Sequence, residues 1–361
     1  MLVLGVETSC DETAAAVVEN GRTVLASVVY SQIPLHQPYG GVVPEIASRS
    51  HIEKINGVIC DAMLGAFASQ KSSATIEAAW WRKLDAIAVT YGPGLASSLI
   101  VGLSAAKGLA LRLNKPLIGI NHIEAHIHSV FLSADAPTPE EACPMLALVV
   151  SGGHTCWLEV RQPRRYRLLG QTIDDAAGEA FDKAAKLLGL GYPGGPAIDR
   201  AAREVAPSNT MMFPRGQVRA GNAALGKMQP EMCVSFSGLK TALMYKVREH
   251  KPQGMEQIAE IAAEYQEAIV QALITRCERA LHLGSYKTLA VGGGVSLNRC
   301  LRLKLQEMTS AFGVRLLLAQ PCFCGDNAAM IAGLAGAGGG VIGEEAMRCD
   351  VAPSLEIDGG G

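Results

Sequence analysis

The chain has 361 residues with 32 Lys and Arg against 34 Asp and Glu, a formal charge of −2. That balance excludes a protein that coats nucleic acid through general basicity, while leaving room for a local basic patch. Hydrophobic residues make up 49% and charged residues 18%, which excludes a disordered chain and supplies core for two domains or one large one. Aromatics are scarce and the 39 glycines abundant, so cores must be aliphatic and much of the glycine must serve turns or close approach to ligands.

The first residues, Met1-Leu2-Val3-Leu4-Gly5-Val6-Glu7, lack a basic leader and meet an acid early, so they read as a strand and not a signal peptide. No segment reads as the roughly 18 consecutive apolar residues that cross a bilayer, so no membrane association is expected. The ten cysteines are scattered without a Cys-x-x-Cys, which fits reduced thiols in a cytoplasm better than a zinc ribbon or a disulfide scaffold.

Along the chain, an apolar strand at 2–6 runs into Glu7-Thr8-Ser9-Cys10-Asp11-Glu12-Thr13, and strands at 14–18 and 23–29 follow. A strand at 84–90, a helix at 96–113 stopped by Lys115-Pro116, and a strand at 116–120 come next, with Asn121 placed to cap a helix. The opening pattern returns at 145–150, with the turn Ser151-Gly152-Gly153-His154-Thr155 and strands at 156–160 and 166–169. Such a repeat suggests two similar α/β domains facing each other across a cleft; a chance likeness of two β-meanders is the alternative. Residues 176–190 read as a helix ended by Gly191 and a Pro193–Pro196 turn, 206–233 as an irregular excursion, 258–283 as a long helix, and 289–291 as a strand leading into three glycines. Asn327 opens a last helix.

Two hydroxyl- and glycine-rich turns at strand ends suit phosphate, although neither is a P-loop or a dinucleotide fingerprint. His122-Ile123-Glu124-Ala125-His126 puts two imidazoles on one helix face about 5–6 Å apart, a spacing for one shared metal. Glu124 is rotated about 200° from that face at 3.6 residues per turn, so it cannot act as the glutamate of a H-E-x-x-H peptidase. A third ligand must come from elsewhere, with Asp326 a candidate, while His128 reads as structural. Most acids between Asp174 and Glu179 read as complements to a helix start; Asp182 lies too far into the helix for that. Ser235-Phe236-Ser237 reads equally well as a helix cap.

Taken in order, these segments, together with Gly40–Arg49, Tyr192–Pro196, Ser235–Thr241, Gly293–Arg299 and Asp326–Met330, resemble the bacterial tRNA N6-adenosine threonylcarbamoyltransferase family (TsaD) over about residues 2–335. The resemblance implies a duplicated two-domain α/β fold of the actin, sugar-kinase and heat-shock-chaperone type with a central cleft. Residues 1–120 plus about 327–361 would form the first domain. Residues 121–326 would form the second, carrying the metal helix and the adenylate site. It further implies transfer of the threonylcarbamoyl group of L-threonylcarbamoyl-adenylate to N6 of adenosine 37 in tRNAs reading codons that begin with A, with release of AMP. His122, His126 and Asp326 would bind one Fe(2+) or Zn(2+) per chain. Val149, Val150, Ser151, Gly152, Gly153, Asp182, Gly195, Asp199 and Asn298 would hold the adenylate, and Asp11 and Glu12 would line the reaction centre. Implied partners are a TsaB-like paralogue, a TsaE-like ATPase and a TsaC-like supplier of the adenylate. Two stretches depart from the pattern: 206–233 beyond Phe213-Pro214-Arg215, and the tail at 347–357. A nucleotide-binding ATPase or scaffold, and less readily a metallopeptidase, are the rival readings.

Overall fold

The computed structural model describes residues 1–68, 77–133, 135–205, 207, 213–226, 228–249 and 251–357. Its strands are β1 (Leu2–Glu7), β2 (Glu12–Glu19), β3 (Thr23–Ser31), β4 (Ala86–Gly92), β5 (Leu117–Asn121), β6 (Met145–Val150), β7 (Thr155–Gln162), β8 (Arg165–Gln171), β9 (Thr288–Gly292), β10 (Arg315–Leu318) and β11 (Val341–Ile342). They form two sheets, ordered β11-β5-β4-β1-β2-β3 and β10-β9-β6-β7-β8. β1 pairs antiparallel with β2 and parallel with β4, and β6 pairs antiparallel with β7 and parallel with β9. The orders β3-β2-β1-β4-β5 and β8-β7-β6-β9-β10 are therefore one topology used twice, as the sequence repeat predicts.

The chain divides into two compact units, Met1–Thr138 with Ala319–Asp358, and Pro139–Leu318. In the first, side chains alternate across the sheet with period two. Val3, Ala14 and Ala16 face the buried helix Ala328–Gly336, while Leu4, Val6, Ala15 and Val17 face the layer holding helices Pro44–Phe67 and Ala96–Leu113. Gly5 is what lets that first helix lie on the strand: a Cβ there would stand 2.5 Å from the Ala328 carbonyl oxygen. In the second unit, Leu146, Leu148, Val150 and Trp157 pack with helices Ala177–Leu188 and Met255–Leu283.

The expected domain boundaries are corrected by this division. Helix His122–His128, assigned from the sequence to the second domain, belongs to the first unit. Ala125 and Leu132 pack with Ala328 to Leu334, and His128 donates from Nε2 to the Gly21 carbonyl at 3.1 Å. The Pro193–Pro196 stretch is also more than a turn, because a helix starts at Gly194 and runs to Ala201. The described part of 206–233 holds two short 3-10 turns, Ala223–Leu225 and Pro230–Met232. Helix Ala96–Leu113 has, against expectation, the length and composition of a membrane span; here its Leu99, Leu103, Ala106 and Ala110 are buried in the first unit. All ten cysteines are free.

Candidate functional site

In the first unit, Asn121 at the end of β5 turns the chain into a helix by accepting the N–H groups of Ile123 (2.8 Å) and Glu124 (3.3 Å) with its side-chain oxygen. That cap sets His122 in the first turn and His126 one turn on. Their rings lie 4.6 Å apart, edge to face. Both Nε2 atoms converge on Asp326 Oδ1, at 3.6 Å from His122 and 3.1 Å from His126. The three ligand atoms lie within 4.8 Å of one another. Both histidines are buried, whereas the Asp326 side chain keeps 18% of its surface.

Glu7, which the sequence reading did not single out, completes this centre from the end of β1. It is fully buried and accepts a hydrogen bond from His122 Nδ1 at 3.2 Å, while the Thr90 hydroxyl and the Ser9 N–H bond the same carboxylate. A carboxylate on Nδ1 fixes the tautomer that leaves Nε2 free as a ligand. Burial would raise the pKa of Glu7, but His122 overcomes this and brings it below the ordinary value. Burial likewise opposes charge on His122, and Asp326 and Glu7 outweigh it, pushing its pKa up to about 9. Two carboxylates around two imidazoles thus draw in positive charge. Among the described residues His126 Nδ1 is buried with no hydrogen-bond partner, and the ring is held by Nε2 on Asp326 and by its edge-to-face contact with His122. The donor set fits a divalent cation: two imidazole nitrogens and a carboxylate, with a solvent-facing side.

Asp11 sits in the turn between β1 and β2, and Glu12 opens β2. Ser31 donates its hydroxyl to Glu12 Oε1 at 3.3 Å. Packing raises the Glu12 carboxyl well above the usual carboxylate range, and Asp11 and Asp326 add to the effect. Glu12 therefore senses the charge of the metal triad. Burial, and then the same acids, hold Cys10 as a thiol. His128, buried on the Gly21 carbonyl with its pKa pushed down to about 4, is a structural histidine.

The second unit holds the remaining candidates. The turn after β6 closes on itself through Ser151 N–H to the His154 carbonyl (2.8 Å) and His154 N–H to Ser151 Oγ (3.1 Å). Helix Ala177–Leu188 abuts it, Gly178 N–H donating to the Ser151 carbonyl and Glu179 N–H to that of Gly152. Gly178 is obligatory at this contact, since a Cβ would stand 2.6 Å from the Ser151 oxygen. Further along the same helix, Asp182 Oδ1 accepts the Gly194 N–H at 2.6 Å, tying the Tyr192–Gly195 segment down. By contrast Gly152, Gly153, Gly195 and Gly294 have open space where a Cβ would be, the room a ligand backed by bare backbone needs. Val149 and Val150 bury their side chains and offer backbone only. Asn298 caps helix Arg299–Phe312 through Leu301 N–H and donates to Gln266 Oε1 at 2.7 Å, and Asp199 Oδ1 accepts the Arg299 N–H. Asp174 accepts from Ser235, Phe236 and Ser237 and so fixes the start of helix Ser237–Glu249.

The family model described as tRNA N6-adenosine threonylcarbamoyltransferase, TsaD, matches residues 23–333. The chain belongs to this family. Curated relatives named tRNA N6-adenosine threonylcarbamoyltransferase include one from Dictyoglomus turgidum, 45% identical over 92% of both chains. Another, from Syntrophus aciditrophicus, is 46% identical over 99% of this chain and 96% of its own. Members are transferases of tRNA modification, and that is the activity of this chain. Among solved structures, full-length HypF superposes with a TM-score of 0.56 at 12% identity, over 93% of this chain and 55% of that one. Component A of the Acidaminococcus fermentans (R)-2-hydroxyglutaryl-CoA dehydratase gives 0.52 at 12% identity, over 94% and 98%. These likenesses show that the overall α/β fold is shared with those two structures.

Proposed function

We propose that this transferase takes the threonylcarbamoyl group from L-threonylcarbamoyl-adenylate and places it on N6 of adenosine 37 in tRNAs reading codons that begin with A, releasing AMP. The observation that carries the chemistry is the convergence of His122, His126 and Asp326, backed by Glu7, beside the acidic turn of Asp11 and Glu12. Two histidines and one carboxylate with an open side favour Fe(2+), with Zn(2+) the second candidate. When bound, the metal supplies Lewis acidity toward the carbonyl of the transferred group. Glu12, raised in basicity, accepts the proton that the adenosine amine loses as it attacks, a contribution of about 10²–10⁴ in rate for one general base. In the second unit, the open glycines at 152, 153 and 195 give their backbone to the adenylate, with Ser151, Asp182, Asp199 and Asn298 shaping the turns around it and Val149 and Val150 contributing main chain.

Activity in the cytoplasm with a TsaB-like paralogue, a TsaE-like ATPase and a TsaC-like donor synthase completes this reading. The test is single-turnover transfer of labelled threonylcarbamoyl from preformed adenylate to unmodified tRNA, with native and metal-stripped protein, with and without those partners. Metal-dependent label on the tRNA adenosine is expected. No label with all components present, while nucleotide still binds, would favour a nucleotide-binding scaffold.

A further inference from the structure

Four polar side chains with no solvent exposure, Thr13, Gln32, His36 and His51, lie in the first unit beside the acidic turn and outside the metal triad. Their hydrogen bonds admit one arrangement of protons. The Val43 N–H can only donate, and it meets His36 Nδ1 at 3.2 Å, so the proton of His36 is on Nε2. His36 Nε2 donates to Gln32 Oε1 at 3.3 Å. The amide of Gln32 must then present its nitrogen to His51 Nδ1 (3.3 Å) and to the Ala47 carbonyl (3.4 Å). Thr13 Oγ1 donates to the same His51 Nδ1 at 2.8 Å. His51 is left with its proton on Nε2, which donates to the Cys10 carbonyl at 3.0 Å. Reversing any link would set donor against donor or acceptor against acceptor among buried groups.

The chain of bonds ends on the backbone of the turn that carries Asp11 and Glu12. Restraints reach each of these residues: the Cys10 carbonyl is held by His51, the Asp11 carbonyl by the Gln32 N–H at 3.2 Å, and the Glu12 carboxylate by the Ser31 hydroxyl. The last two restraints come from the end of β3. The first comes from helix Pro44–Phe67, which meets the turn through His51.

We infer that His51 is a positioning residue for the transfer reaction, fixing the Cys10–Glu12 backbone through a one-way relay of hydrogen bonds that starts at the Val43 amide. The inference rests on the reading of Asp11 and Glu12 as the reaction centre. A small misplacement of a general base costs up to about 10²-fold in rate, so the turn's anchor governs turnover without touching substrate. Burial keeps His51 in its neutral form, the form the relay requires, against the opposing influence of the Cys10 carbonyl, Glu7 and Asp11.

The experiment compares His51→Leu, His51→Gln and Glu12→Gln with the native protein, each full length, metal-loaded and assayed with partners on adenylate and tRNA. His51→Leu should lower kcat by about 10²-fold, with KM for both substrates and bound metal per chain unchanged. His51→Gln keeps an N–H for the Cys10 carbonyl and should recover most of that loss. A His51→Leu enzyme at native kcat, beside a Glu12→Gln enzyme that is impaired, would overturn the inference. So would a His51→Gln enzyme no better than His51→Leu, or loss of metal in both, since either would mean general misfolding. Should His51→Leu not fold, His51→Phe, which fills the ring's space without an N–H for the Cys10 carbonyl, takes its place: native kcat and KM overturn the inference, and a lowered kcat at native KM supports it. Full turnover by Glu12→Gln would instead remove the reaction-centre reading on which the inference stands.

Discussion

Glu7→Gln replaces one buried oxygen by an NH2 group of the same size, and both ways of seating that amide are costly. With the NH2 toward Ser9, two donors face each other and the buried Ser9 N–H is orphaned, at about 1–3 kcal/mol. With the NH2 toward His122, Nδ1 must accept, and the imidazole proton moves to Nε2. That is the atom facing Asp326 at 3.6 Å, so the lone pair a metal needs is gone. The metal-free variant adopts the second seating, since Thr90 can rotate its hydroxyl to suit and Ser9 Oγ lies 3.2 Å from Nδ1. Metal binding must first restore the first seating, so affinity falls by that same 1–3 kcal/mol, about 5–150-fold. The range brackets the tenfold to hundredfold that loss of an outer-shell carboxylate generally costs. The assay is competition of apo-protein against a chelator for Fe(2+) or Zn(2+), with transfer activity followed in parallel. A Glu7→Gln protein that binds metal as tightly as the native chain would refute this account of how the centre is built.

Gly178→Ala forces a Cβ to within 2.6 Å of the Ser151 oxygen, so helix Ala177–Leu188 and the Ser151–Gly153 turn must separate. We expect about 1–3 kcal/mol of destabilisation and a raised KM for the adenylate; an unchanged melting temperature and KM would show that the contact is not needed. The isolated chain should bind tRNA weakly. In its densest basic run, at 161–165, the Arg161 guanidinium is already 3.0 Å from Glu159, which Arg167 also engages at 2.8 Å. Tight tRNA binding by the chain alone at physiological salt would contradict that expectation.

Much of this is legible in the sequence wherever local chemistry decides. Helix Ala96–Leu113 is found at both ends because Pro116 cannot continue it and its small-residue start needs no long-range partner. The Asn121 cap and the i, i+4 histidines are equally local. What escapes is set by contacts distant in sequence. Glu7 looks like the end of a strand, and only folding brings His122 to it; the one hint is an acid closing an otherwise apolar run. His51 is a polar residue in a helix of weak amphipathic pattern, and nothing at its own position announces that its imidazole ends on Cys10. Residues 121–138 change domains for the same reason, since which helix Ala125 packs against is not written near Ala125.

The duplication itself explains why two such unlike turns exist. Both follow the first strand of an identical meander, β1-β2-β3 or β6-β7-β8, so the fold offers each the same opening at a strand end. Their chemistry then separates them. The first turn carries Asp11 and Glu12, whose negative charge would repel a phosphate but can take a proton and face a cation. The second carries Gly152 and Gly153, which have nothing to titrate but leave the backbone bare and the space above it open. Exchanging the two sequences would therefore lose both functions even if both units still folded. The topology supplies two equivalent positions, and in the function proposed above a few side chains assign the adenylate to one and the acid–base work to the other.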